Sequence, residues 1–303
     1  MKIVEPQVEL WKQEPTLEGA WHQIARATRV CYQSKPREGE SDEAFVNRVI
    51  LKPATREDGS IDFDKCHGAM LEHGTIYLTI PKTSFVARTI HYIHNNYSRV
   101  LFDDLFHDNN NTYVTTNMRV ILENNWKNDL KFISVPTHHV KRTTFSVITD
   151  IGVTRELNRH RVNSIAEQST RYCTYSSSKF GEEITYANND FLAECVINID
   201  SYFYDLCKDI IDKKDNKLDK WTAERYYMFG LLAAEFAYLG LKKNKVPNDI
   251  ARQVLNLNTK SQAVYTAFDD DWQHFIKLRA DNVSGKVHPN MKIIADKIKE
   301  IFN

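Results

Sequence analysis

Apolar residues at helical spacing predict two helices in the first fifty residues. The first helix is indicated by apolar positions about one turn apart, Trp21, Ile24 and Ala25. The second is expected to begin at Ser41-Asp42-Glu43, because a capping hydroxyl followed by first-turn acids is typical of a helix N-terminus. The apolar positions that follow this cap are Phe45, Val49 and Ile50.

Alternation of apolar and polar residues predicts a half-buried strand from Glu72 to Ile80. The alternating apolar positions are Ile76, Leu78 and Ile80, and the polar ones are Thr75, Tyr77 and Thr79. A second strand is expected at Phe145-Ser146-Val147, ahead of Gly152. The polar, asparagine-rich interval between the two strands, residues 81–141, is interpreted as an insertion with a helix beginning after Thr116.

The chain beyond residue 190 is expected to be mainly helical. Helices are predicted at Leu192–Ile211, at Ala223–Leu239 with Gly240 as its end, and from Asn248-Asp249 onward. Ser261–Phe268 is predicted to be a strand, and three acids after it begin a helix that ends near Arg279. The pattern therefore predicts an α+β fold: a single domain, residues 1–303, with a central, mainly antiparallel sheet flanked by helices and a helical C-terminal half.

Composition limits the partners and the location of the protein. Forty basic and forty acidic side chains give a formal net charge of zero, which does not favour binding to nucleic acid or to an acidic membrane surface. The five cysteines form no Cys-x-x-Cys pair, which favours reduced thiols. No signal-peptide pattern is present, and the most apolar segment, Tyr226–Gly240, contains Glu235 and falls short of a bilayer span. We expect a cytoplasmic protein without nucleic-acid or membrane partners.

A dense group of cationic and polar residues lies between Arg155 and Tyr172. These eighteen residues include His160 and four arginines, Arg155, Arg159, Arg161 and Arg171. Because Arg159 and Arg161 cannot share a helical face, the chain is expected to leave a helix there. Arginine suits phosphate because it donates two parallel charge-assisted hydrogen bonds, and the sequence has no glycine-rich phosphate loop. The alternative is a solvated face in which Glu156 and Glu167 neutralise the arginines.

The same segment carries a long motif. Arg159-His160-Arg161 is followed, after seven residues, by Ser169, and a longer form of the motif includes Glu167, Arg171 and Tyr172. In this, the chain resembles the flavin-dependent thymidylate synthases. The resemblance continues in four other segments, residues 27–32, 67–73, 250–255 and 274–281, and thus covers most of the chain outside 81–141.

The resemblance implies a reaction and its cofactors. Members of the family bind FAD, reduce it with NADPH, and take a methylene group from methylenetetrahydrofolate to convert dUMP into dTMP. They use no cysteine nucleophile, so Cys173, beside the motif, is expected to have no chemical role. Their active sites form between the subunits of a homotetramer. No metal is implied, and the additional histidines of residues 81–141 show no metal-ligand spacing.

The resemblance also implies roles for residues at matching positions. The residues implied to contact FAD are His67, Glu72, Arg159, His160, Arg161, Glu167 and His274. Those implied to hold dUMP are Glu156, Glu167, Gln168, Ser169, Arg171, Arg252 and Arg279. Catalytic roles are expected for Ser169, Arg171 and Arg279, the last as the cation near the developing uracil anion.

Three positions depart from the family pattern: Ala166 replaces Asn, Glu156 replaces Gln, and Cys31 replaces Ser. The affinity or orientation of the flavin is the property they put in question. Two other functions remain open from sequence: a different flavoprotein with the same arginines, or a nucleotide-sensing or RNA-binding module supported by Tyr97, Tyr113 and Tyr175. The segment 81–141 could supply oligomer contacts or a lid.

Overall fold

A computed structural model describes residues 2–81, 87–102, 111–170, 183–188, 221–281, 283 and 287–302. Its helices are α1 (Leu17–Tyr32), α2 (Asp42–Val46), α3 (Ala87–Ile93), α4 (Met118–Glu123), α5 (Ile151–Leu157), α6 (Ala223–Lys243), α7 (Asn248–Ala251), α8 (Asp269–Arg279) and α9 (Pro289–Phe302). Its strands are β1 (Lys2–Val4), β2 (Gln7–Leu10), β3 (Thr75–Pro81), β4 (Arg99–Phe102), β5 (Asn111–Asn117), β6 (Arg142–Asp150), β7 (Ser164–Glu167), β8 (Thr185–Ala187) and β9 (Lys260–Phe268). The protein has an α+β fold, as the sequence predicts.

Most predicted elements are present where the described residues cover them. Helix α2 begins as expected, since the Ser41 hydroxyl accepts a hydrogen bond from the Ala44 backbone N–H at 3.2 Å. Its chain continues as a turn of π-helix, Asn47–Leu51. Strands β6 and β9 and helix α8 lie at the positions expected for them. The helix predicted at Leu192–Ile211 lies outside the described residues.

A four-stranded antiparallel sheet forms the frame for the motif. Its strand order is β2-β6-β9-β7, and β9 places Tyr265 opposite Phe145 on one side and Ala263 opposite Glu167 on the other. Successive residues of a strand face opposite sides of the sheet, so Val264 packs with α1 in one core cluster and Tyr265 packs with α5, α8 and α9 in another. The sheet is therefore a layer between two helical layers.

A second antiparallel sheet, of order β3-β5-β4, was only partly predicted. The expectation of a half-buried strand near Glu72–Ile80 was wrong in its burial, because most side chains of β3 on both faces are buried. Strand β5 was missed because its sequence is rich in threonine and asparagine. Its buried hydroxyls have hydrogen-bond partners, as Thr115 donates to the Val140 carbonyl at 2.7 Å and Thr116 bonds Ser98 at 2.8 Å.

Helix α6 does not end at Gly240, which corrects the prediction. The helix continues to Lys243, and the chain reverses at Lys245, whose φ is +60°. Helix α9 was not predicted, although its residues Met291, Ile294 and Ile298 are fully buried at helical spacing against the four-stranded sheet. Among the described segments, no helix combines the length and apolarity needed to cross a membrane.

Candidate functional site

The motif lies where α5 turns back into β7. Helix α5 begins at Asp150, whose side chain accepts from the Val153 backbone N–H at 2.8 Å, and ends at Leu157. Arg155 is thus helical, whereas Arg159 and Arg161 lie in the turn before β7. The chain leaves the helix as expected, slightly before Arg159, and the two arginines are exposed.

A cavity of about 570 Å³, here called the Glu167 cavity, brings together residues from four segments. Its polar lining includes Arg155, Glu167, Gln168, Ser169, Thr170, Arg252, Gln253, Asn256, Lys260 and Ser261. Four of the residues expected to hold dUMP, those at 167, 168, 169 and 252, therefore line one cavity. Arg171 lies outside the described residues.

Glu167 is held by three hydrogen-bond donors. Its Oε1 accepts from the Thr154 hydroxyl at 2.7 Å and from the Ser261 hydroxyl at 2.8 Å. Its Oε2 accepts from the Asn158 side-chain amide at 3.3 Å. These donors come from α5, its C-terminal end and β9, so the carboxylate is fixed between the sheet and the helix that packs on it.

Tyr265 orients the amide that contacts Glu167. Its hydroxyl donates to Asn158 Oδ1 at 3.0 Å, which leaves the Asn158 Nδ2 directed to Glu167. Burial, with a smaller contribution from the negative charge of Glu167, raises the pKa of Tyr265 well above 10. The phenol is therefore protonated at neutral pH and remains a donor.

The neighbouring residues of the Glu167 cavity are fixed by the strands and by α1. Lys260 Nζ donates to Gln168 Oε1 at 2.8 Å. The Ser169 backbone N–H donates to the Cys31 carbonyl at 3.0 Å. Arg252 Nη1 donates to the Thr170 hydroxyl at 3.3 Å, and Arg252 remains exposed. The cavity thus combines cations with a carboxylate, an amide and hydroxyl groups.

A larger cavity of about 960 Å³, the Arg159 cavity, adjoins the first one. The two cavities share Arg155, Asn256 and Leu257 in their linings. The Arg159 cavity is also lined by two aromatic rings from α6, Tyr226 and Tyr227. Within the described part of the chain, the guanidinium groups of Arg155 and Arg159 make no ion pair or hydrogen bond. Both remain available for an anion.

His160 and Arg279 contact each other rather than the Glu167 cavity. Arg279 Nε lies 3.3 Å from His160 Nε2, and Arg279 Nη1 lies 3.7 Å from Glu156 Oε2. Burial and then the positive charge of Arg279 lower the pKa of His160 to about 4, so its neutral ring accepts from Arg279 at neutral pH. Among the described lining residues of the two cavities, Glu156 is present and Arg279 is not.

The remaining residues expected to contact FAD lie at separate positions in this chain. His67 stacks on Tyr32, with ring centroids 5.8 Å apart, and Glu72 Oε1 accepts from Arg119 Nη1 at 2.7 Å. Arg161 lines a different, smaller cavity of about 210 Å³. His274 is exposed on α8. One chain therefore does not gather all these residues around Arg159.

The three departures from the family pattern have specific contacts. Ala166 is fully buried against Val264, on the α1 side of β7, whereas Glu167 faces the opposite side. The effect of this replacement on flavin affinity or orientation stays a prediction. Glu156 pairs with Arg279, and Cys31 contributes a backbone carbonyl.

Some site residues were missed by the sequence reasoning. Lys260 immediately precedes the predicted strand Ser261–Phe268, and its charge there was an available signal. Thr154, Asn158 and Ser261 gave no such signal, because their contacts to Glu167 depend on the pairing of β7 with β9. Within the described segments, no group of three or more potential ligands is placed to hold a metal ion.

Comparisons with known proteins give one family match. A family model described as thymidylate synthase complementing protein (Thy1) matches residues 134–303. No curated protein matches the chain.

Solved structures with some likeness include a UMP/dUMP methylase, PolB from Streptomyces cacaoi bound with 5-Br UMP. It is 14% identical with a TM-score of 0.42, and the match covers 100% of this chain and 91% of that chain. Thymidylate Synthase X (ThyX) from Helicobacter pylori, with FAD and dUMP, is 15% identical with a TM-score of 0.38, and the match covers 97% and 92% of the two chains. Scores this low carry no functional argument.

Proposed function

Because this chain belongs to the thymidylate synthase complementing protein family, we propose that it catalyses the reductive methylation of dUMP to dTMP without a cysteine nucleophile. The family match confirms the resemblance to flavin-dependent thymidylate synthases. In the proposed reaction, methylenetetrahydrofolate is the carbon donor and NADPH is the reductant of FAD.

The observation that carries the proposal is the composition of the Glu167 cavity. A nucleotide monophosphate needs concentrated positive charge for its phosphate, and Arg155, Arg252 and Lys260 supply it. The uracil ring needs directional partners, and Glu167 and Gln168 have fixed positions. The cavity volume of about 570 Å³ is within the usual range for small-molecule sites.

The lone pairs of Glu167 indicate how it contacts the base. An ionised carboxylate accepts at about four positions, and three are used by the hydroxyls of Thr154 and Ser261 and the amide of Asn158. The remaining position accepts an N–H of the uracil ring. Because uridine and deoxyuridine share this ring, Glu167 recognises the base and does not select the sugar.

The residues of the Arg159 cavity fit FAD. FAD carries two phosphate groups, and the exposed guanidinium group of Arg159, which makes no ion pair within the described residues, is suited to contact them. Tyr226 and Tyr227 offer aromatic surface, and a Cβ added to Gly230 of this lining would meet no atom of the described residues within 4 Å. When bound and reduced, FAD supplies the hydride.

The separation of the expected residues supports active sites between subunits. Arg279 does not line the Glu167 cavity of its own chain, and Glu72 is paired with Arg119. We propose a homotetramer in which His67, Glu72 and Arg279 of one subunit complete the cavities of another. There, Arg279 would stabilise negative charge that develops on the uracil ring. The proposal also includes a single domain with an insertion at 81–141 and a cytoplasmic location.

The test is dTMP formation from dUMP, methylenetetrahydrofolate, NADPH and FAD by wild type and Arg252→Ala. Loss of a charge-assisted hydrogen bond to phosphate is expected to raise the KM for dUMP about tenfold to a hundredfold. The matched control is Arg56→Ala, since Arg56 is exposed and pairs with Asp62 in another part of the chain. Binding of FAD without dTMP formation by the wild type would reject the reaction, and methylation of UMP alone would correct the substrate.

A further inference from the structure

Three arginines surround a small cavity outside the two described above. This cavity, here called the Arg142 cavity, has a volume of about 210 Å³ and is lined by Arg99, Arg142 and Arg161. Arg99 belongs to the segment interpreted as an insertion, and Arg161 belongs to the motif. Asp271 is the one carboxylate among the described lining residues. The cavity therefore has an excess of positive charge.

Arg142 is a half-buried cation whose guanidinium group is held by neutral hydrogen-bond acceptors. Its Nη1 donates to the Glu72 carbonyl at 3.0 Å, and its Nη2 donates to the Ser164 hydroxyl at 3.2 Å. It has no ion pair within the described residues, and its Nε has no hydrogen-bond partner there. Burial lowers the pKa of Arg142 to about 10, so it remains charged at neutral pH. A charge partly removed from water without an ion pair is costly, and a bound anion would offset that cost.

The other two arginines have unused donors. The Arg99 guanidinium lies over the Phe268 ring at 4.5 Å, and its Nη1 donates to the Ser98 carbonyl at 3.2 Å. Arg161 is exposed and makes no hydrogen bond or ion pair within the described residues. Asp271 makes no ion pair within the described residues, and this one carboxylate cannot balance three arginines.

An exposed aromatic ring lies beside this charge. Tyr97 is 56% exposed and lines both the Arg142 cavity and a neighbouring cavity of about 240 Å³ that contains Glu72. An exposed ring next to three guanidinium groups suits a ligand that carries a flat ring and a phosphate. Glu72 is one of the residues implied to contact FAD, and its backbone carbonyl accepts a hydrogen bond from Arg142. The Arg142 cavity is therefore next to a residue that is expected to bind the flavin.

We infer that the Arg142 cavity is a phosphate-binding site, with Arg99, Arg142 and Arg161 as donors and with Tyr97 beside the ring of the ligand that carries the phosphate. Three sources have this chemistry: FAD, NADPH and a free phosphate or pyrophosphate ion. The assignment to a cofactor rests on the proposed function, whereas anion binding by the three arginines does not. In this assignment, the segment Asn95–Arg99 contributes to ligand binding through Tyr97 and Arg99.

Arg99 is the residue to change, because Arg142 donates hydrogen bonds to Glu72, Thr75 and Ser164 and its loss would threaten the fold. Inorganic pyrophosphate is titrated calorimetrically into wild type, Arg99→Ala, Arg99→Lys and the control Arg56→Ala. Arg99→Ala is expected to weaken binding by about tenfold or more, Arg99→Lys by less because a point charge remains, and the control not at all. This measurement needs no dTMP formation, so its failure is distinct from failure of the proposed reaction.

Two further titrations identify the source of the phosphate. FAD affinity is measured by flavin fluorescence, and NADPH affinity by the concentration dependence of flavin reduction, for wild type, Arg99→Ala and Tyr97→Ala. If Arg99→Ala weakens the binding of only one of the two cofactors, FAD or NADPH, the site is assigned to that cofactor. In that case Tyr97→Ala is expected to weaken binding of the same cofactor but not of pyrophosphate. A weakening of pyrophosphate alone assigns it to a free anion. Unchanged binding of all three ligands in folded Arg99→Ala, verified by circular dichroism, would overturn the inference.

Discussion

The Tyr265 hydroxyl offers a way to disturb Glu167 without altering a residue that lines the Glu167 cavity. Tyr265 is fully buried and donates to Asn158 Oδ1 at 3.0 Å, and the Asn158 amide donates to Glu167 Oε2 at 3.3 Å. In Tyr265→Phe, the ring remains and the hydrogen bond is lost. The Asn158 amide is then free to rotate, and Glu167 loses the fixed orientation of one of its three donors.

Two effects of comparable size are expected. Because Asn158 is half-buried, water can replace part of the lost bond, and the free energy of unfolding is expected to fall by about 1 kcal/mol. A weakened hydrogen bond to Glu167 is expected to make the free energy of dUMP binding less favourable by about 1 kcal/mol. This corresponds to a dissociation constant for dUMP that is raised about fivefold. The assays are thermal denaturation and calorimetric titration with dUMP.

Tyr92→Phe is the matched control. Tyr92 is also fully buried, and its hydroxyl donates to Asp129 Oδ2 at 3.1 Å. Neither residue lines the Glu167 cavity. This variant is expected to lose stability while its dUMP affinity stays at the wild-type value. Equal dUMP dissociation constants in Tyr265→Phe and Tyr92→Phe would refute the proposed orientation of Glu167 by Tyr265 and Asn158.

Two further predictions concern stability. Burial and the neighbouring Arg142 lower the pKa of His73 from 6.5 to about 3. The unfolded chain therefore binds a proton at His73 more readily than the folded chain does. As a result, the free energy of unfolding should fall as the pH drops from about 6.5 towards 3. Denaturation at pH 7 and pH 5 should show this slope, and His73→Asn should reduce it; an equal slope in both proteins contradicts the assignment. Gly74→Ala places a Cβ 2.6 Å from Ile24 Cδ1 and should cost about 1–3 kcal/mol. At Gly240 an added Cβ meets no atom of the described residues within 4 Å, so Gly240→Ala should stabilise α6 by about 0.5–1 kcal/mol. Melting temperatures that shift in the same direction for the two glycine variants would disprove this reading.

Features that depend only on residues close together in the sequence could be predicted from the sequence. The Ser41 cap, the strand β9 and the helix α8 follow from local propensity and periodicity, since these signals lie within one element. The family motif was equally readable, because it is a run of adjacent residues. The match to residues 134–303 confirms the family that it indicated.

Burial and pairing were decided by the tertiary structure. Strand β5 has a polar sequence and became a central strand because its hydroxyls found partners on Ser98 and Val140. Gly240 resembled a helix end, yet the helix continued to Lys243. Ala166 belongs to the motif but faces the core, since the pleat of β7 directs alternate residues to opposite sides.

The hydrogen bonds that orient Glu167 show most clearly what the sequence could not determine. The sequence by itself determined that a carboxylate stands in a motif for nucleotide chemistry. It did not determine that Tyr265, 107 residues from Asn158, orients the amide that holds this carboxylate. Nor did it bring Arg99 and Arg142 to the turn that carries Arg161. Propensity and periodicity act over a few residues, whereas these contacts arise only when distant strands pair and bury their side chains together.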